Sequence, residues 1–161
     1  MNKVLLCLLF VLTACQSNTL YHSYQPVSNT GWLKGDSLSF QLPDTLAPGK
    51  YEIQIGIRHL ESYPYRDIWL GISQNWEDST LYRTDTLHLY LADEKGQWHG
   101  NGIGGMMQFI QKPPMLWIQP DSISNRSIMI HHLMSDSILK SIHDIGLKII
   151  ACSEPHPSGE E

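Results

Sequence analysis

Leu12-Thr13-Ala14-Cys15 ends an apolar run that begins at Val4, directly behind Lys3. A basic start, a short apolar core and small residues before a cut form the pattern of a secretory signal. With a cysteine immediately after the cut, the pattern is that of a bacterial lipoprotein signal, and its chemistry is acylation of Cys15. Val4 to Leu12 falls far short of the roughly 20 apolar residues that a bilayer-spanning helix needs. The expectation is a leader over residues 1–14 that is removed on export, and acyl chains on Cys15 that hold the mature chain to a membrane. Each buried methylene contributes about 0.8 kcal/mol, so two or three chains anchor firmly.

Other reactive residue types offer less. Cys7 leaves with the leader, so Cys152 is then alone and the mature chain has no internal disulfide. Cys152 follows an apolar run and has no base placed to activate it, which reads as a buried, inert thiol. Gly100-Asn101-Gly102-Ile103-Gly104-Gly105 matches Gly-x-Gly-x-x-Gly. A dinucleotide site needs a strand before those glycines and a helix after them to receive the pyrophosphate. Asp93–Gly96 reads as a turn, and the stretch from Gly105 to Pro113 is too short for that helix. The glycines instead mark backbone that needs positive φ or close approach.

The eight histidines, at positions 22, 59, 88, 99, 131, 132, 143 and 156, form no His-Glu-x-x-His or paired-cysteine zinc pattern. His131 and His132 would project to opposite faces of a strand, although separate strands could bring His88 and His131 together. Glu52, Glu61, Asp67, Asp85, Asp93 and Asp144 are scattered, and no Gly-x-Ser-x-Gly elbow is present. The expectation is a non-enzyme with no cofactor and no metal site.

The formal charge is −5, and it becomes one unit more negative once Lys3 leaves. Mild acidity argues against a nucleic-acid binder, which carries basic patches. It also argues against a polybasic membrane patch, so the lipid would do the anchoring. A chain of 161 residues accommodates one domain with a sizeable core.

The elements that must position any site read as strands. Tyr51, Ile53, Ile55 and Ile57 alternate with polar or small residues, as do Ile68, Leu70 and Ile72, then Leu87, Leu89 and Leu91, then Ile145, Leu147 and Ile149. Period-two alternation marks sheets with one face in a core and one toward water. Weaker strands are expected at Leu20–Tyr24, Ser37–Leu42, Met106–Lys112, Met115–Gln119 and Ser127–Leu133. Pro48-Gly49, Asp93–Gly96 and Pro113-Pro114 punctuate them. The spacing predicts an all-β fold, an antiparallel jelly-roll-like β-sandwich over residues 20–152. Residues 15–19 would form the acylated tether and 153–161 a disordered tail. Only Ser135–Ile142 reads as a short helix, with Asp136 as its N-cap.

The polar faces of these strands carry Arg58, Trp69, His88 and Tyr90. If their strands are neighbours, those residues form an aromatic and basic strip typical of interaction hot spots, or a platform for sugars. The other outcome is burial as a second core layer, since Trp is mostly buried. Tyr65 is expected on the same interaction surface, and the aromatic-proline cluster Tyr63-Pro64-Tyr65-Arg66-Asp67 would help close one end of the sandwich. Trp32, Trp98 and Trp117 would pack in the core or under the glycine loop.

Three segments resemble one family. Arg58-His59 followed by Tyr63-Pro64-Tyr65-x-Asp67-Ile68-Trp69 is similar to the central block of gliding motility lipoproteins of the GldH type. Asp93-Glu94-Lys95-Gly96-Gln97-Trp98-His99-Gly100-x-Gly102-x-Gly104 and Leu139 to Ile149 resemble two further blocks, in the same order. The Trp32 and Asp36 segment and the leader ending in Cys15 also fit. The resemblance implies a lipoprotein in the cell membrane, facing the periplasm of a Bacteroidetes-type bacterium. In gliding members it is needed for movement over surfaces, beside other envelope proteins linked to a dedicated secretion pathway. It carries over no catalytic residue, only the acylated cysteine, at Cys15. The expected function is therefore a tethered, non-catalytic component of an envelope complex, with gliding-machinery proteins as partners. The alternative is a glycan-binding sandwich. Either membrane would accommodate the anchor.

Overall fold

The computed structural model describes residues 18–44, 46–78, 81–112, 114–119 and 126–152. The expected leader, Cys15 and tail 153–161 lie outside the described residues. Among those that are described, every regular element is a strand, and no helix is long and apolar enough to cross a membrane.

The larger sheet is built around β4 (Gly49–Leu60) and β12 (Ile142–Ala151). β12 lies between β4 and β1 (Thr19–Pro26), and the other edge of β4 is shared by two strands. β8 (Met106–Ile110) covers Gly56 to Leu60, and β9 (Met115–Gln119) covers Gly49 to Ile53. At the break between them, buried Gln111 continues the ladder: its N–H donates to Ile55 O at 2.9 Å, and its side-chain Oε1 accepts from Ile55 N–H at 3.4 Å. β7 (Asn101–Ile103) completes this sheet against β8. The second sheet runs β3 (Leu38–Gln41), β10 (Ser127–His132), β5 (Asp67–Asp78), β6 (Leu81–Tyr90). β2 (Trp32–Leu33) and β11 (Ile138–Leu139) form a small separate pair. All pairings are antiparallel.

The chain crosses between sheets from β3 to β4 and again from β4 to β5, so the two apolar faces close on each other as an antiparallel sandwich. Ile55, Ile57, Ile145 and Leu147 from one sheet meet Ile68, Leu70, Ile128 and Ile130 from the other, all fully enclosed. Each such side chain contributes about 1.5–3 kcal/mol of transfer free energy.

Two sequence expectations need correction. Ser135–Ile142 is not a helix. Its apolar residues, Ile138, Leu139 and Ile142, suit either a helical stripe or a bent strand, and pairing with Trp32 and Leu33 decides for the strand. Leu139 is buried while Ile138 faces out, Ser141 adopts φ +67°, and Asp136 accepts the Tyr65 hydroxyl rather than capping a helix. Cys152 is half-buried rather than enclosed.

The glycine run forms a hairpin. Ile103 pairs with Met106, and Gly104 and Gly105 make the two-residue turn with φ +62° and +84°. Positive φ at both positions is the type I′ requirement. A Cβ at Gly100 would collide with the backbone of Gln108, so that glycine permits close approach.

Candidate interaction surface

On the outer face of β5 and β6, Trp69 stands directly across from His88, and Asp67 across from Tyr90. The alternation that sends Ile68, Leu70 and Leu89 inward sends these residues to water. The His88 and Trp69 rings stack with centroids 3.9 Å apart, and Tyr90 leans on His88 at 4.5 Å. His88 Nε2–H donates to Asp67 Oδ2 at 2.6 Å. Arg66 lies 5.1 Å from the centroid of the Tyr90 ring. Trp69 is 41% exposed and Tyr90 49%. They form an outward ridge fixed by stacking and one charge-assisted hydrogen bond.

Arg58 is not part of that ridge. Its strand, β4, belongs to the other sheet, where Arg58 packs over the Tyr24 ring at 3.9 Å. Arg58 Nη1 also donates to Asp144 Oδ2 at 3.5 Å, and His143 Nδ1 donates to the same oxygen at 2.8 Å. Tyr24 lies across Gly146 of β12, which in turn faces Gly56 of β4. A Cβ at either glycine would run into the Tyr24 ring or hydroxyl. Burial, the largest influence, raises the Tyr24 pKa. This face is a tightly fitted polar and aromatic layer.

Tyr65 serves a third place, the end of the sandwich. Its hydroxyl donates to Asp136 Oδ2 at 2.7 Å, which raises its pKa. Its ring meets Tyr63 edge-on, and the buried Tyr63 hydroxyl donates to Asp67 O at 3.0 Å. Behind them His59 is fully enclosed between Tyr63 and Trp98. Nδ1–H of His59 donates to Leu60 O at 3.0 Å, while Nε2 has no partner among the described residues. Burial lowers the His59 pKa. Trp32 is buried in the core and Trp98 half-buried against it, whereas the Trp117 side chain lies outside the described ones. The three sequence blocks singled out above thus converge: Arg58 with Asp144, and His59 with Tyr63 and Trp98.

A cavity of about 580 Å³ opens beside the ridge, between the edge of β6 and the β7–β8 hairpin, with His88, Tyr90, His99 and Phe109 in its lining. His99 Nδ1–H donates to Tyr90 O there at 3.2 Å. Among the described residues no three His, Cys, Asp or Glu side chains gather as a metal ion would require. Asp67, Arg66 and Tyr24 complete these surfaces and were missed from sequence. Asp67 shares its strand face with Trp69 two residues on. Isolated glycines within the alternating strands at positions 56 and 146 are the signal for a ring such as Tyr24 lying close to the backbone.

Residues 19–149 match the family described as GldH lipoprotein. Over 101 residues the chain is 26% identical to the gliding motility lipoprotein GldH of Flavobacterium johnsoniae, a stretch that covers 63% of this chain and 62% of that relative. The match therefore spans less than two thirds of that relative's length. A gliding motility lipoprotein GldH homolog of Christiangramia forsetii is 23% identical over 152 residues, covering 88% of this chain and 89% of the relative. Among solved structures, the Eiger TNF from S. frugiperda overlaps with a TM-score of 0.36 and 11% identity, covering 89% of this chain and 99% of that chain. An overlap that loose carries no argument.

Proposed function

Since the chain belongs to the GldH lipoprotein family, we propose that it is a membrane-tethered, non-catalytic component of an envelope complex, acting with the proteins of a gliding machinery. Acyl chains on Cys15 supply the tether, and the sandwich faces the periplasm. The observation that carries this reading is the family match, which spans the strands from Thr19 through most of β12. Trp69, His88 and Tyr90 make the contact with a partner: two large aromatic side chains held in fixed positions bury area with little loss of side-chain entropy. Tyr65 and Arg58 support the fold beside that contact.

The test is a crosslinked pull-down from native membranes with the wild type, Cys15→Ser and Trp69→Ala. Recovery of the same few envelope proteins with the wild type, and their loss with Cys15→Ser, supports the complex-component reading. Unchanged recovery with Trp69→Ala removes the ridge from it. Absence of any specific protein from well-behaved wild-type material overturns the reading as a whole.

The exposed Trp69 and Tyr90 rings favour a second reading, a glycan-binding face. The Trp69 ring, stacked on His88, is 41% exposed, the kind of surface on which a sugar ring can stack. Intrinsic Trp fluorescence that ignores a broad glycan panel counts against it.

A further inference from the structure

The second sheet ends at β6, and among the described residues no strand pairs with its outer edge. The register of β6 against β5 fixes which peptide groups point where. Leu91 N–H donates to Arg66 O at 2.8 Å, and the pairing is regular back to Arg83. In such a ladder alternate residues bond the neighbour, so Leu89, Leu87, Asp85 and Arg83 turn their backbone toward β5. Tyr82, Thr84, Thr86 and His88 turn theirs outward. The first six residues of β6 are all exposed, Leu81 at 68%. A long open edge is a template for another strand unless something blunts it. No proline or lysine stands in β6, and its two charged residues, Arg83 and Asp85, are opposite in sign.

The order of side chains along this edge is self-complementary. Leu81-Tyr82-Arg83-Thr84-Asp85-Thr86-Leu87 can be laid antiparallel on itself with Thr84 opposite Thr84. Arg83 then faces Asp85 and Leu81 faces Leu87, each twice across a two-fold axis, on one face. Tyr82 faces Thr86 on the other face. The outward-pointing residues 82, 84 and 86 fall into hydrogen-bonded pairs in this register, each pair exchanging two backbone bonds. Centring on Asp85 instead would set like charges opposite each other, and centring on Thr86 would set Arg83 against Leu89 and Asp85 against Leu87. Cross-strand opposite charges and apolar pairs stabilise a sheet, and like charges destabilise it.

We propose that a second copy of this chain docks on β6 through Leu81–Leu87, joining the two β3-β10-β5-β6 sheets into one continuous sheet across a two-fold axis. Such an interface is isologous, so it closes at a dimer and uses up both β6 edges, with β3 as the outermost strand on either side. The Trp69, His88 and Tyr90 ridge of each copy stays on the outer face of the joined sheet.

The test uses the full acylated chain in native membranes, with Cys152→Ser as background. Thr84→Cys sits on the proposed axis and is expected to give a disulfide-linked dimer on mild oxidation, at least tenfold above Ile103→Cys, a 92% exposed position on the other sheet. Arg83→Asp should lower the Thr84→Cys yield about tenfold, and adding Asp85→Arg should restore it. In detergent, Thr86→Pro removes an outward N–H without touching the β5 ladder, and should convert dimer to monomer with an unchanged melting temperature. A Thr84→Cys yield equal to that of Ile103→Cys, a crosslink to a different protein, or failure of the double charge reversal to restore the dimer would each overturn the proposal. The crosslinking arm decides the matter even if the proline variant unfolds.

Discussion

The imidazole of His88 lies almost parallel to the indole of Trp69, 9° between planes and 3.9 Å between centroids, while its Nε2–H is held by Asp67 at 2.6 Å. The strand pair thus fixes the exposed indole before any partner arrives. A group ordered in advance loses less entropy on binding. Trp69→Ala should therefore lower recovery of envelope partners by about 30-fold, the order expected of a hot spot near 2 kcal/mol. The melting temperature should move by only a few degrees, because Trp69 contributes nothing to the enclosed core. Calorimetry on the same preparations separates the two effects, and a large loss of stability with Trp69→Ala would show the ridge to be structural.

Arg58→Ala should do the opposite. It removes the cation over Tyr24 and uncovers Asp144, whose side chain is nearly buried. Loss of one partner of a mostly enclosed pair, together with a cation–π contact, costs about 1–3 kcal/mol. Urea unfolding should register that loss while partner recovery stays at the wild-type level when measured well below the melting temperature. A fully stable Arg58→Ala would overturn this assignment.

Tyr24, Gly56 and Gly146 should behave as a unit. A Cβ at Gly146 would come within 2.5 Å of the Tyr24 ring, so Gly146→Ala should destabilise by about 1–3 kcal/mol through overpacking. In a Tyr24→Ala background the same change should be nearly neutral. A double-mutant cycle reads the coupling directly, and additive losses would mean that the ring does not depend on the missing side chains.

Stability should fall on acidification below about pH 6.5, the ordinary histidine value. His59 and His132 are both buried, and burial lowers both pKa values. His132 Nε2–H donates to Trp32 O at 3.1 Å, and its Nδ1 has no partner among the described residues. Below the unfolded value the unfolded chain takes up protons that the folded imidazoles resist. The stability present above pH 6.5 is then lost at up to about 1.4 kcal/mol per pH unit for each histidine, until its folded pKa is passed. His59→Phe fits the aromatic nest of Tyr63 and Trp98 and should remove about half of that slope. An unchanged slope in urea titrations between pH 7.5 and 5 would exclude His59 as a source.

The long strands were legible because each buries one face. The alternation of Ile53, Ile55 and Ile57, and of Ile145, Leu147 and Ile149, is the imprint of a core on one side and water on the other. β2, β7 and β11 escaped because two or three residues have no period. Ser135–Ile142 was misread because apolar spacing alone cannot register the distant Trp32–Leu33 partner. The site was half legible for a similar reason. Trp69, His88 and Tyr90 were marked by type and by their polar strand face, and they do meet. Arg58 occupies an equivalent polar face, but a sandwich has two outer faces, and strand alternation does not say which sheet a strand joins.

The first and last strands lie side by side, Thr19 opposite Ile150. The chain therefore enters and leaves the sandwich at one pole, whereas the Gly104-Gly105 turn sits at the other, bonded through Gly105 O to Glu61 N–H. A reporter joined directly after Ala151 would sit at the pole where the chain enters, and one inserted between Gly104 and Gly105 would stand clear of it. Exchange of the two ends should also be tolerated: a short linker from Ala151 to Thr19, with new termini opened at that glycine turn, would give a permuted chain with the same core.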